Sequence, residues 1–322
     1  MADMRTCAVI GCGNVGATSA YALLQTGLFS RMLLLDKNRE RAVGEAEDLA
    51  HAIPFLSPCE VVAADYKDVT DAGLIIIAAG AAQRVGETRL DLVRRNAEIF
   101  RSIVERVCTY NEEAILLVVT NPVDILTEVT RRLSRFPTHR VIGSGTVLDT
   151  ARMKHLLGRH LGVDPRQVHA FIIGEHGDSE LPVFSSANIS GIDLDHFCHT
   201  SCAACSKEDL DRLFADARDA AYRIIRAKGA TYYAIAEAVR RIVTAIVRDE
   251  SAILPISVHT GGAYGIHDLA MSLPAVVSAQ GVERVLEIPL SPVERDALIA
   301  SAAQLRDVLN GLSLEGVSSL YG

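Results

Sequence analysis

The sequence predicts an α/β fold: an N-terminal doubly wound parallel sheet followed by a C-terminal α+β domain. Three observations carry this expectation. Short apolar runs alternate with helical patterns through the first half of the chain. A glycine-rich turn, Gly11-Cys12-Gly13-Asn14-Val15-Gly16, follows the first of those runs. Beyond Gly145 the rhythm changes to long helical stretches with fewer strand-like segments. Strands that are apolar along their whole length are buried on both faces, and strands separated by helices need crossover connections and so run parallel.

The apolar runs fall at residues 7–10, 32–35, 61–64, 74–79, 114–120 and 141–142, and each ends in Gly, Asp, Asn or a similar turn residue. After them come a helical pattern at 150–161, a strand at 168–173 and a long helical stretch at 207–247. Gly229 interrupts that stretch, where helix propensity falls by about 1 kcal/mol relative to Ala, so a bend is expected there. A strand-like segment at 252–259 leads into the turn Gly261-Gly262-Ala263-Tyr264-Gly265. The last amphipathic helix opens at Ser291-Pro292-Val293-Glu294, which resembles a capping box. No internal repeat or low-complexity linker divides the chain. Two tightly packed domains are expected, residues 1–145 and 146–322, with the site between them.

Composition narrows the function classes. With 322 residues, 49% of them hydrophobic and 22% charged, the chain has ample material for a globular core. A net charge of −8 and the lack of basic runs interleaved with aromatics argue against nucleic acid, leaving small molecules or copies of itself as partners. No apolar stretch is long enough to span a bilayer, and no basic segment with an apolar signal core opens the chain, so a cytoplasmic protein is expected. Seven cysteines, an odd number, do not suggest a disulfide framework. The cluster His196-Phe197-Cys198-His199-Thr200-Ser201-Cys202-Ala203-Ala204-Cys205 could ligate zinc or form a redox pair. No second Cys/His pair follows at finger-like spacing, so the expectation is an incidental surface loop with no metal.

The chemistry gathers at strand ends. In the glycine turn, Gly11, Gly13 and Gly16 permit a tight turn, close approach of a pyrophosphate and helix-to-strand packing, while the helix that starts at Asn14 and Val15 offers its positive end. Asp36 follows at the end of the second strand, at the spacing of a dinucleotide fingerprint. Its carboxylate can accept from ribose hydroxyls and would repel a 2′-phosphate, which favours NAD over NADP, although Lys37, Arg39 and Arg41 stand nearby. The segment from Gln83 to Leu90 should overhang the site as a lid, and Asn121 precedes Pro122 at another strand end. Asp149 and Arg152 share a helix face, and His176 sits between Gly174 and Gly177 after an apolar strand. A histidine can exchange protons near neutral pH, and a carboxylate against one ring nitrogen would orient it and favour its charged form.

Together with Lys228-Gly229-Ala230-Thr231-Tyr232-Tyr233, these motifs resemble those of the L-lactate dehydrogenases in the lactate/malate dehydrogenase superfamily, in order and over nearly the whole chain. The resemblance implies NAD-dependent interconversion of pyruvate and L-lactate on a Rossmann domain, in a homotetramer. It makes His176 the proton donor, Asp149 its partner, Arg152 the clamp on the substrate carboxylate and Arg89 the lid arginine that polarises the carbonyl. Asn121 matches a residue near the nicotinamide and substrate oxygen, and Thr231 and Ile235 match positions lining the pocket. Gln83 stands where malate dehydrogenases carry Arg, which implies pyruvate rather than oxaloacetate. Some bacterial members are activated by fructose 1,6-bisphosphate; His169 matches their ligating His, but Lys154 replaces the Arg. The rival readings are another 2-hydroxyacid dehydrogenase and a non-catalytic dinucleotide-binding protein. The intact set Arg89, Asp149, Arg152 and His176 argues against the second.

Overall fold

Six apolar segments of the N-terminal half form one parallel sheet in the computed structural model, which describes residues 2–81, 89–200 and 205–312. They are β1 (Asp3–Ile10), β2 (Arg31–Leu35), β3 (Glu60–Ala63), β4 (Ala72–Ile77), β5 (Ile115–Val118) and β6 (Val141–Gly143). Helices α1 (Asn14–Leu24), α2 (Arg39–Ala52), α3 (Arg89–Tyr110) and α4 (Val123–Leu133) lie between them in the chain. Every residue of β4 and β5 is buried, as strands covered on both faces must be. The spatial order β3-β2-β1-β4-β5-β6 reverses its direction of growth between β1 and β4. Ligands of such sheets bind at that switch point, beyond the carboxyl ends of the strands.

The C-terminal half contributes α5 (Val147–Leu161), β7 (Val168–Ile173), β8 (Leu181–Ile189), β9 (Ile192–Asp193), α6 (Leu194–Thr200) and α7 (Lys207–Arg218). Then follow α8 (Ala220–Lys228), α9 (Tyr233–Val247), β10 (Ala252–His259), β11 (Ala270–Ser278), β12 (Gly281–Val285) and α10 (Pro292–Asn310). Strands β7, β8 and β9 make a small antiparallel sheet over a second apolar core that includes Met153, Leu157, Val168, Ile172 and Leu213. β10 instead runs antiparallel beside β6, with Ser257 opposite Gly143, and β11 and β12 extend the main sheet to nine strands. Both halves of the chain therefore share one sheet and one main core.

Several details differ from the sequence expectations. The helical stretch at 207–247 breaks twice. Gly229 ends α8 in the left-handed region, φ 86°, with its N–H bonded to the Ile225 carbonyl at 2.8 Å. The other break, at Asp219, has no Gly or Pro to announce it. Pro122 is the N-cap of α4, and Ser291 and Glu294 form the expected capping box of α10. The cysteine cluster is not an incidental loop: Cys198 is buried and disulfide-bonded to Cys205. The end of α6 packs into the second core and brings the two Cα atoms to 5.8 Å, within the span of a bridge. Cys202 lies outside the described residues. Among the described residues, no helix is long and apolar enough to cross a membrane.

Candidate active site

The glycine turn sits at the switch point, where β1 meets α1. Gly11 has φ +100°, and a Cβ there would overlap the backbone of Ala79 at the end of β4. A Cβ at Gly16 would overlap the Gly11 carbonyl oxygen, so the helix can seat this closely only on glycine. Gly13 differs, since a Cβ there would meet nothing within 4 Å. It is the N-cap of α1, no side chain caps that helix, and the first-turn amides at Asn14, Val15 and Gly16 face the same end. This open, uncapped helix end fits an anionic pyrophosphate.

Asp36 closes the turn from β2. Its Oδ2 accepts from the Cys12 amide at 2.8 Å and its Oδ1 from the Asn38 amide at 2.9 Å. The carboxylate is thereby fixed at the mouth of the turn, with lone pairs left for ribose hydroxyls. Arg39 is paired with Asp65 at 3.0 Å and Arg41 with Glu45 at 3.7 Å, so these neighbouring cations are engaged elsewhere. The donor set fits NAD.

His176 is held by its backbone before its side chain acts. Gly174, φ +96°, turns the chain at the end of β7, and a Cβ there would stand 3.0 Å from both Leu181 Cδ2 and Ser301 Oγ. Its N–H and C=O each pair with Ser272 of β11 at 2.9 Å. The Glu175 amide donates to Ser301 Oγ of α10 at 2.8 Å, and the His176 amide donates to Asp124 Oδ2 of α4 at 2.7 Å. Three elements distant in sequence thus pin one short loop.

The ring of His176 meets Asp149 Oδ2 through Nδ1 at 2.5 Å, and the other oxygen of Asp149 accepts from Arg152 Nη1 at 2.7 Å. Helix α5 presents this carboxylate because two of its threonines grip β7: Thr146 Oγ1 donates to the Ile172 carbonyl at 2.5 Å, and Thr150 Oγ1 accepts from the Ile172 amide at 2.9 Å. With Nδ1 occupied, Nε2 is the nitrogen available for proton transfer. Burial alone would lower the pKa of His176. The charge and hydrogen bond of Asp149 outweigh it, Glu180 and Asp124 add to them, and the result is about 9. For Asp149, burial pushes upward, but His176 and Arg152 hold the carboxylate below its ordinary range. The pair rests as imidazolium and carboxylate.

Asn121, Asp149, Arg152 and His176 line one cavity of about 490 Å³. Glu180 and Arg218, to which the sequence reading gave no role, line it too, and Ala221, Tyr222 and Ile225 of α8 form an apolar wall. Asp124 was also missed. It is 1% exposed, burial raises its pKa to about 6, and it accepts from Ser272 Oγ at 3.0 Å as well as from the His176 amide. Sequence offers no signal for it beyond an acidic residue in a helix's first turn. Asp149, His176 and Glu180 hold potential metal-ligand atoms within 4.8 Å of one another. Two of the three are committed to each other and to Arg152, which suits proton handling rather than a cation.

The remaining expected residues lie elsewhere. Thr231 is half-buried in the link between α8 and α9, and Ile235 packs against the main core; neither lines this cavity. Gln83 and the side chain of Arg89 lie outside the described residues. Lys154 is half-buried on α5, its pKa lowered by burial, and is turned about 200° around the helix from Arg152. His169 is exposed on β7 opposite Asn188.

Two family models match the chain: the lactate/malate dehydrogenase NAD binding domain over residues 6–143, and the lactate/malate dehydrogenase alpha/beta C-terminal domain over residues 146–313. An L-lactate dehydrogenase of Thermoanaerobacter pseudethanolicus is 50% identical over 311 residues, 97% of this chain and 100% of the relative. One from Acetivibrio thermocellus is 49% identical over 307 residues, 95% of this chain and 96% of the relative. Among solved structures, a lactate dehydrogenase from a Medee basin deep-sea metagenome library superposes with a TM-score of 0.94 at 42% identity, covering 97% of this chain and 100% of that one. The minor L-lactate dehydrogenase of Enterococcus mundtii, in a ligand-bound form, gives a TM-score of 0.94 at 38% identity, covering 97% of this chain and 99% of that one.

Proposed function

The chain belongs to the lactate/malate dehydrogenase family, and from that premise we propose that it is an NAD-dependent L-lactate dehydrogenase in which His176 exchanges the proton. The observation that carries this reading is the chain of contacts Arg152–Asp149–His176 on the cavity wall. Residues 1–145 hold the dinucleotide and 146–322 the 2-keto acid. When bound, NADH supplies a hydride to the carbonyl carbon.

The protein's own residues do the rest. The planar fork of Arg152 suits the substrate carboxylate and fixes its orientation. The His176 imidazolium gives the proton on Nε2 to the carbonyl oxygen as negative charge develops there, and in lactate oxidation the neutral ring takes it back from the hydroxyl. Asp149 stabilises the charged ring and fixes its tautomer without leaving its own ionised state. Arg89 is assigned to polarise the carbonyl and Asn121 to bond the substrate oxygen. Thr231 and Ile235, which lie off the cavity wall, are assigned to the surroundings of substrate and nicotinamide by the resemblance alone. Gln83 assigns pyruvate as the substrate, because an amide over its methyl group leaves no buried charge without a partner.

A homotetramer in the cytoplasm completes the proposal, supported by the resemblance. Activation by fructose 1,6-bisphosphate would use His169 and Lys154. The test is steady-state reduction of pyruvate, oxaloacetate and branched 2-keto acids by NADH, with and without the bisphosphate. Pyruvate should give the highest kcat/KM, and Gln83→Arg should move the preference toward oxaloacetate. A higher kcat/KM for oxaloacetate in the native chain overturns the substrate assignment. No NADH oxidation with any keto acid would leave a dinucleotide-binding protein.

A further inference from the structure

Glu180 closes the His176 loop just before β8, is 6% exposed and lines the cavity. Its Oε1 is buried and has no hydrogen-bond partner among the described residues. A carboxylate in that position is costly, because nothing replaces the water it has lost. The charged groups that face it are Asp149 and Arg152 from α5, His176 from its own loop and Arg218 from α7. A side chain serving only to fill space would be apolar here, and one serving only as an ion-pair partner would touch an arginine.

Resting on the lactate dehydrogenase reading, we propose that Glu180 is a further positioning residue, which sets the charge that the substrate meets. Neutral, it leaves Arg152 and His176 to the carboxylate and carbonyl of the 2-keto acid. Ionised, it competes with the substrate for both. Burial and the Asp149 charge push the Glu180 carboxyl up to about 8, against His176, Arg152 and Arg218. The proton is therefore kept near neutral pH and lost under mildly alkaline conditions, before His176 gives up its own at about 9.

The consequence is that two protonations, not one, support capture of the keto acid. The experiment measures pyruvate kcat/KM with saturating NADH from about pH 6 to about pH 10, in the native protein and in Glu180→Gln. In the native protein log kcat/KM should fall on the alkaline side with a slope steeper than one, approaching two, and KM should rise about tenfold more than in the variant. Glu180→Gln, neutral at every pH, should fall with unit slope. Its profile should also break at lower pH, because Glu180 helps hold the His176 proton. Should that variant fail to fold, Arg218→Gln gives the second arm. Removing this cation should move the first alkaline break upward while the steep slope remains.

Unit slope in the native protein, with the same break in the variants, would overturn the role of Glu180 and leave the lactate dehydrogenase reading standing. Failure of the native protein to oxidise NADH with pyruvate would overturn both, and is told apart by that control.

Discussion

Replacing Asp149 with Asn tests whether the carboxylate works through its charge or only through its position. The amide keeps one acceptor oxygen where the carboxylate has two, and both of those are used, one by His176 Nδ1 and the other by Arg152. The main loss is electrostatic. His176 stands at about 9 against an ordinary 6.5, chiefly because the charge and hydrogen bond of Asp149 overcome burial. At 1.36 kcal/mol per tenfold, that difference is worth about 3 kcal/mol in favour of the imidazolium.

Without the charge, the ring should titrate at or below its ordinary value. Near pH 8 the protonated fraction would then drop from about nine-tenths to a few per cent, a loss of up to about 30-fold in pyruvate kcat/KM. Near pH 6 the two proteins should differ far less. Glu180 modulates the result, because Asp149 also disfavours its ionisation. In Asp149→Asn, Glu180 ionises more readily and restores part of the field at His176, so the His176 limb of the profile should lie at lower pH in the double variant Asp149→Asn/Glu180→Gln than in Asp149→Asn. The assay is the pH profile of pyruvate kcat/KM, with NADH binding measured in parallel as a check on folding. An alkaline limb that stays near pH 9 in Asp149→Asn, or a loss of equal size at every pH, would refute the argument that the charge of Asp149 holds the proton.

Two further outcomes follow from the same geometry. Asp124→Ala would strand the His176 amide and Ser272 Oγ, each bonded to that carboxylate, at a cost of roughly 1–3 kcal/mol per buried donor. A lower melting temperature and a lower kcat should appear together, with Asp124→Asn milder because it retains an acceptor; an unchanged kcat in Asp124→Ala would show that the loop needs no such anchor. The second outcome concerns stability and pH. His176 and Glu180 both bind their protons more tightly in the folded protein than their ordinary values of 6.5 and 4.5 imply. The stability they contribute is fully present below those values, and is lost as pH rises through about 8 for Glu180 and about 9 for His176. Melting temperature should therefore decline from neutral to pH 9, and decline less in Glu180→Gln. Parallel melting curves for the two proteins would contradict the Glu180 part.

What the sequence disclosed and what it withheld divide along contact distance. The glycine turn and Asp36 were legible because their work is local: backbone conformation over six residues, then one carboxylate returned by the next strand, 24 residues after Cys12. Asp149 and Arg152 share a helix face, so only their meeting with His176 had to be inferred. Asp124 was silent, since it earns its place through residues 52 and 148 positions away. β11 was silent for a different reason. Its Ser272, Pro274 and Ser278 read as breakers, yet Pro274 stands opposite Pro255 in the register, and the carbonyls of both bond outward, to the Leu286 and Thr146 amides, so neither proline takes a donor from the ladder between the two strands.

Glu180 is the instructive case. As the second residue after the Asp178 of a glycine-flanked loop it looks solvated, because acidic residues are almost always exposed. It is nevertheless buried, facing charged groups of α5 and α7, and the nearby Asp149 makes its proton hard to lose. The imidazole proposed to react could thus be singled out from residue types in order, and its contact with Asp149 is what the packing adds. The number of protons that must be in place before a keto acid binds depends on how many charges share one cavity, and only the packing of distant elements sets that.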